Sequence, residues 1–128
     1  MAHTARASLP CEQIDLIVPV PQHVVRRWLR GFDPVAQLAN DVSRSLGRPC
    51  RAGALRRIRW TATQTRLHGH ARRRNVRGAF MARARAVRGR TVLLVDDVLT
   101  TGATAQACAQ ALRQAGASRV FVLTAARA

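Results

Sequence analysis

Two adjacent carboxylates, three hydroxyls and a glycine stand within the nine residues Asp96 to Thr104 (DDVLTTGAT). The run is entered from Thr91 to Val95 (TVLLV), which reads as a buried strand, and it leads into Ala103 to Ala115. There Ala103, Ala107, Cys108, Ala111, Leu112 and Ala115 form one apolar stripe at helical spacing. The first turn of a helix carries N–H groups without intrahelical partners and the positive end of the dipole, so it attracts anions and phosphate above all. Gly102 lets backbone approach such an anion closely. Thr100, Thr101 and Thr104 add hydroxyl donors. Two carboxylates beside a phosphate would repel it, unless the ligand carries hydroxyls next to its phosphate. Asp96 and Asp97 then accept hydrogen bonds from a diol while the helix start holds the phosphate, and a sugar phosphate meets both needs. Helix capping alone would use one side chain, not two acids and three threonines. The spacing is neither that of a G-x-x-x-x-G-K phosphate loop nor that of a G-x-G-x-x-G dinucleotide fingerprint.

The surrounding elements must bring this run to an accessible edge. Gly116 ends the predicted helix, and Arg119 to Thr124 (RVFVLT) reads as the next strand. Strand, turn, helix, strand is a βαβ unit, which implies parallel pairing and a right-handed crossover. The predicted class is α/β, with an open, mostly parallel sheet flanked by helices and a ligand at the carboxyl ends of its strands. Ile14 to Val20 (IDLIVPV) reads as a second buried strand, stopped by Pro19 and Pro21. Asp33 to Leu46 reads as a helix. Asp33 is its N-cap, Pro34 takes the first helical position, Val35, Leu38, Ala39, Val42 and Leu46 line its apolar face, and Gly47 stops it. Ala52 to Trp60 holds a weak strand pattern. Thr61 to Gly78 is polar, Arg-rich and aperiodic, and reads as a long functional surface loop. The organisation expected is an extension over residues 1–13 and one domain over residues 14–128, enough chain for a single core.

Composition narrows the class further. Hydrophobic residues make up 48% and aromatics 4%, so the core must be aliphatic. Basic residues number 22 against 6 acids, a formal net charge of +16, and every basic residue is arginine. From Arg44 to Arg90 there are 15 arginines and no acid. Three causes compete: nucleic-acid or polyphosphate binding, a local basic wall around a small anion, and a coding bias that leaves a solvated basic face. Cys11, Cys50 and Cys108 are odd in number and far apart, which supports neither a zinc ribbon nor a disulfide framework. Reduced thiols in a cytoplasmic protein are the expectation. His68 and His70 have no nearby Cys or acid and read as solvated side chains, with His23 of the same kind, so no metal ligands are assigned. Trp28 reads as half-buried packing; Trp60 suits packing or base stacking equally. No apolar run is long enough to span a membrane, and Met1 to Pro10 does not read as a secretory signal.

All 13 positions of Val92 to Thr104 resemble the phosphoribosyl-diphosphate (PRPP) loop of type I phosphoribosyltransferases. Asp15 to Pro21 (DLIVPVP), Arg30 to Phe32 (RGF), Gln64 to Leu67 (QxxL) and Arg72 with Asn75 to Phe80 (RxxNVRGAF) follow in the order found in the ComF competence family, which this chain resembles from about Asp15 to Arg127. The resemblance implies a type I phosphoribosyltransferase fold. It implies that Asp96 and Asp97 bind the ribose 2′ and 3′ hydroxyls, and that Val98, Leu99, Thr100, Thr101, Gly102, Ala103 and Thr104 form the 5′-phosphate loop. Arg26 and Arg27 become candidates for the diphosphate loop. Thr61 to Gly78 becomes a mobile loop whose Arg72, Arg73, Arg74 and Arg77 bring charge to the leaving diphosphate. The implied Mg²⁺ travels with PRPP and needs no dedicated protein cage. Many members carry an N-terminal cysteine zinc ribbon and a helical segment, and this chain is expected to lack both.

Two functions from different classes follow. One is an enzyme that moves a ribosyl 5-phosphate from PRPP to an acceptor. The other is a non-catalytic protein that handles single-stranded DNA or senses PRPP, with a homodimer or a competence-machinery protein as its partner. A third reading, a non-functional remnant of a truncated gene, is also compatible with an intact loop.

Overall fold

A computed structural model of the chain describes residues 11–21, 33–58, 78–99 and 102–127. Its centre is a three-stranded parallel sheet in the order β1-β4-β5, formed by β1 (Leu16–Pro19), β4 (Thr91–Leu99) and β5 (Arg119–Arg127). β1 runs beside β4 from Leu16↔Val92 to Pro19↔Val95, and β4 beside β5 from Thr91↔Arg119 to Leu99↔Arg127. Beyond β1 the chain adds one more parallel bridge, Ile17 with Cys50. The Ile17 N–H donates to the Pro49 carbonyl and the Arg51 N–H to the Ile17 carbonyl, each at 2.9 Å. The start of the sheet is clamped by Asp15. Its carboxylate accepts the Thr91 N–H and its own N–H donates to the Thr91 carbonyl, both at 2.9 Å.

Side chains alternate across a strand, so each apolar strand feeds both faces of the sheet. Ile14, Ile17, Leu93, Val95 and Leu123 face helix α1 (Pro34–Leu46), which contributes Ala39 and Val42. Leu16, Val18, Val20, Val92 and Leu94 face the other way, toward Cys108, Ala111 and Leu112 of a second long helix that follows β4. That face is completed by a separate antiparallel pair, β2 (Leu55–Arg57) with β3 (Phe80–Ala82), which brings Leu55 and Phe80 into the same cluster. A single-turn helix, α2 (Ala84–Val87), links β3 to β4, and α3 (Ala103–Gln114) carries the crossover to β5.

The two long helices end as their sequences dictate. The Asp33 carboxylate accepts the N–H groups of Val35 and Ala36, each at 3.1 Å, and Pro34 fills the first position. Gly47, at φ 68°, closes α1 in the left-handed conformation, with its N–H donated to the Ser43 carbonyl. α3 stops at Gln114, and the tight exit turn through Gly116 (φ 109°) returns the chain to β5.

Three expectations change. β4 does not end at Val95: it continues through Asp96 and Asp97 to Leu99, because β5 itself runs on to Arg127 and supplies partners for Asp96, Val98 and Leu99. The predicted turn from Asp96 to Thr104 therefore does not begin at Asp96. The weak strand in Ala52 to Trp60 shrinks to Leu55–Arg57 behind a 3₁₀ turn at Ala52–Ala54. β3 and α2, absent from the sequence reading, are too short to show periodicity. Among the described residues no helix is long and apolar enough to cross a membrane.

Candidate functional site

Six acids serve the whole chain, and three are committed to local structure. Asp15 clamps β4, Asp33 caps α1, and Asp41 pairs with Arg44 at 2.9 Å on the surface. Glu12 lies exposed in the turn at Cys11–Gln13. The remaining two, Asp96 and Asp97, sit together near the carboxyl end of the central strand. Ligands of open parallel sheets bind at that edge.

Because they are consecutive on a strand, the two side chains leave opposite faces of the sheet. Asp96 shares the face of Val92 and Leu94, toward α3, and is only 7% exposed. Its Oδ1 accepts the Asp97 N–H at 2.8 Å. Asp97 shares the face of Leu93 and Val95 and is more open. After β4, Gly102 stands at the N-cap of α3 at φ 80°, a conformation that a side chain disfavours. Two carboxylates thus stand just before a helix start that follows a glycine, the arrangement the sequence predicts.

On the Asp96 side of the sheet lies Cys108, wholly buried on α3. Burial pushes its thiol far above the ordinary value, and the negative Asp96 carboxylate pushes it further. The Arg57 guanidinium acts in the opposite sense. Cys108 is therefore a neutral, unreactive thiol of the core. Arg57 lies on the inner side of β2, with its guanidinium carbon 4.9 Å from the centre of the Phe80 ring. Burial pulls its pKa below the usual arginine value, and the thiol of Cys108 partly offsets this. The sequence reading passed over Arg57 among so many arginines. The available signal was the alternation in Leu55-Arg56-Arg57-Ile58, which turns one arginine of the two inward.

The other predicted residues divide cleanly. Gly102, Ala103 and Thr104 open α3, which follows the strand of the acid pair, and the backbones of Val98 and Leu99 complete β4. Thr100 and Thr101 of the phosphate loop lie outside the described residues. So do the diphosphate-loop arginines Arg26 and Arg27 and the loop arginines Arg72, Arg73, Arg74 and Arg77. His23, His68, His70, Trp28 and Trp60 lie outside them too. A depression of about 600 Å³ lies on the open surface of α3, against Gln106, Gln110, Arg113 and Gln114.

Residues 36–128 match the phosphoribosyl transferase domain family, and the chain belongs to that family. Over 118 residues, 92% of its length, the chain is 40% identical to the DNA utilization protein YhgH of Escherichia coli. Over 116 residues, 89% of its length, it is 35% identical to Competence protein F of Haemophilus influenzae. The matches take in 52% and 51% of those proteins, so the chain spans about half the length of the curated relatives it matches. The fold superposes on the allosteric regulatory enzyme of purine biosynthesis with a TM-score of 0.66 and 26% identity, covering 97% of this chain and 24% of that one. The resemblance to the ComF family and the type I phosphoribosyltransferase fold are both borne out.

Proposed function

We propose that the chain binds PRPP at the carboxyl edge of β4 and transfers its phosphoribosyl group to an acceptor, in the service of DNA utilisation. The observation that carries this reading is the buried Asp96 and half-open Asp97 on the central parallel strand, just ahead of a helix that starts after Gly102. Asp96 and Asp97 accept hydrogen bonds from the ribose hydroxyls. The segment from Val98 to Thr104 holds the 5′-phosphate on the start of α3. Arg26 and Arg27, with Arg72, Arg73, Arg74 and Arg77, supply positive charge for the diphosphate.

In the reaction the bond from the anomeric carbon to the diphosphate oxygen breaks, and its electron pair leaves with diphosphate. The acceptor forms the new bond to that carbon and gives up a proton. The aspartates fix the sugar while positive charge builds on its ring. The donor set at this edge is hard carboxylate oxygen, and one oxygen of Asp96 is already engaged by the Asp97 N–H. That suits a Mg²⁺ ion which arrives with the diphosphate, keeps most of its waters and takes at most one or two protein oxygens. When bound, the ion neutralises charge on the leaving diphosphate.

Titration calorimetry with PRPP and Mg²⁺ tests the reading. The parent should bind, and Asp96→Asn/Asp97→Asn should lose about a hundredfold or more in affinity, equivalent to roughly 3 kcal/mol of charged hydrogen bonds. A folded parent that ignores PRPP would sink it.

A second reading is favoured by one feature. Arg51, Arg56, Arg83, Arg85, Arg88 and Arg90 are all exposed in a stretch without a single acid. Together with the relatives' names, this supports contact with single-stranded DNA. The affinity should then fall steeply with salt, and replacing Arg72, Arg73 and Arg74 should flatten that slope. A response to salt that is flat from the outset excludes it.

A further inference from the structure

The acid pair marks the carboxyl edge of the sheet, and arginines gather at its amino edge. Thr91 and Arg119 open β4 and β5 in register with each other. The turns that lead into them are clasped together. The Gly89 N–H donates to the Gly116 carbonyl at 2.8 Å, and the Ser118 N–H to the Arg90 carbonyl at 2.9 Å. The clasp is close: a Cβ added to Gly116 (φ 109°) would stand 3.3 Å from Arg88 Cγ. Arg88 and Arg90 are thereby brought beside Arg119. The last turn of α3 adds Arg113, whose carbonyl accepts the Gly116 N–H at 3.0 Å. All four arginines are exposed. Arg113 and Arg119 lie outside the acid-free stretch of the sequence, so only the fold joins them to Arg88 and Arg90.

A coding bias toward arginine would leave such side chains loose in solvent, yet two of these are held. Arg90 Nη1 donates to the Ala86 carbonyl at 3.2 Å, and Arg119 Nη1 to Gln13 Oε1 at 2.9 Å. Both tethers are neutral, unlike the Asp41 carboxylate that pairs with Arg44. A guanidinium has several N–H donors, so one neutral bond fixes its place and leaves its charge and its other donors uncommitted. Part of the entropy lost when a long side chain orders on a ligand is then lost in advance. Like charges held together also repel, and a polyanion relieves that repulsion. The acids of this edge do not cancel the cluster. Asp15 gives its carboxylate to the Thr91 N–H, and the exposed Glu12 shares a depression of about 270 Å³ with Arg48. Among the described residues the exposed large apolar side chains are Ile58, Met81 and Val122, and none lies in these turns. A membrane-surface site joins basic groups to an apolar face. A site with the first and without the second fits a phosphodiester chain.

We propose that the clasped turns at the amino edge, with Arg88, Arg90, Arg113 and Arg119, form a contact surface for the phosphates of single-stranded DNA, separate from the sugar-phosphate site. The proposal rests on the single-stranded DNA reading and not on the PRPP reading. Thr91 and Asp96 are five residues apart on β4, about 16 Å of strand. That exceeds the Debye length of ~10 Å at 0.1 M salt, so the two edges can be filled together.

Fluorescence anisotropy of a labelled oligo-thymidine strand, titrated with the whole chain over a salt series, tests this. Arg88→Gln/Arg90→Gln/Arg119→Gln removes three phosphate contacts of ~0.7 each, so the slope of log affinity against log salt should fall by about 2. Gln13→Glu keeps a tether on Arg119 but makes it an acid. It should weaken binding about fivefold, whereas Asn40→Asp, which adds the same charge at an exposed position of α1, should change it by less than about twofold. Saturating PRPP with Mg²⁺ should leave the affinity for the strand within about twofold. A triple variant with the parent's slope overturns this placement and leaves the single-stranded DNA reading standing, whereas a parent that ignores the strand removes both. Equal losses in Gln13→Glu and Asn40→Asp overturn it too, since the general field is then the cause. So does displacement of the strand by PRPP, or binding of the parent to phosphatidylserine vesicles in place of the strand. Should the triple variant not fold, Gln13→Glu set against Asn40→Asp decides.

Discussion

The two faces of the sheet are built from the same aliphatic residues and put to different uses. Toward α1, the face of Ile14, Ile17, Leu93, Val95 and Leu123 closes on Ala39 and Val42, with no charged group in the buried cluster. Toward α3, the face of Leu16, Val18, Val92 and Leu94 closes on Leu112 and Phe80 but also borders Asp96, Cys108 and Arg57. A wholly aliphatic layer contributes stability through burial alone. A layer with opposite charges at its rim gives up part of that stability to hold polar groups in place. The first face is mainly a foundation, with Asp97 at its rim, and the second carries Asp96 and the charges around it. Substitutions on the two faces should therefore fail in different ways.

The strongest separation comes from Leu93→Ala set against Asp96→Asn/Asp97→Asn. Leu93 is wholly buried on the α1 face. Its truncation removes apolar burial and leaves a cavity, which costs about 2–5 kcal/mol. Denaturant melts should register that loss, while the fraction still folded should bind PRPP as the parent does. The double asparagine variant should do the reverse: an unchanged melt and no binding. If Leu93→Ala weakens binding in the folded state, the two faces are not independent.

This division was half legible in the sequence. The aliphatic face declared itself through long apolar runs, a helix with a clean stripe, and the cap signals Asp33, Pro34 and Gly47. The acid pair declared itself because two carboxylates after TVLLV have few other uses. Two things stayed hidden. The extension of β4 to Leu99 depends on the length of β5, which is a tertiary fact, and carboxylates are poor strand formers in isolation. β2 itself was hidden because three residues make no measurable period, and its half-buried Arg57 because it is one of 15 arginines between Arg44 and Arg90. Only its pairing with Phe80 singles it out.

A second comparison can be drawn by pH. Cys108 is wholly buried and its thiol is pushed up from an ordinary value of 9.0. In the unfolded chain it ionises near that value, while in the folded chain it stays protonated. Above it the unfolded state binds fewer protons, so stability falls as pH rises, by about 1.4 kcal/mol per pH unit. Below it both states are protonated and the effect vanishes. Denaturant melts from pH 8 to 10 should show the decline, and Cys108→Ala should remove most of it. The smaller remainder comes from Cys50, which burial also raises. A decline unaltered by Cys108→Ala would place the titrating group elsewhere.

Next in size is the cap of α1. Asp33 accepts two backbone N–H groups at 3.1 Å and supports the helix that covers the foundation face. Asp33→Ala leaves both donors without that acceptor and should cost about 1 kcal/mol. Asp33→Asn keeps an acceptor and should lose less than half of that. Neither should alter the PRPP affinity of the folded state, because α1 is held against Leu93 and Val95 by its packing as well as by this cap.

The smallest effect should come from Asp41, which lies on the same helix and also has a partner. It meets Arg44 at 2.9 Å, with the side chains 78% exposed on arginine and 58% on aspartate. Such pairs lose to solvent and to side-chain entropy most of what Coulomb attraction provides, so Asp41→Asn should change stability by less than about 0.5 kcal/mol. The neighbourhood makes this a stringent case. In a chain of net charge +16, each acid relieves repulsion among arginines as well as serving its own partner. If the loss at low salt is much larger than this and disappears at high salt, Asp41 acts through the general field and not through Arg44. Comparing Asp41→Asn with Arg44→Gln separates the two: a true pair loses stability with either change, whereas general repulsion is worsened by the first and relieved by the second.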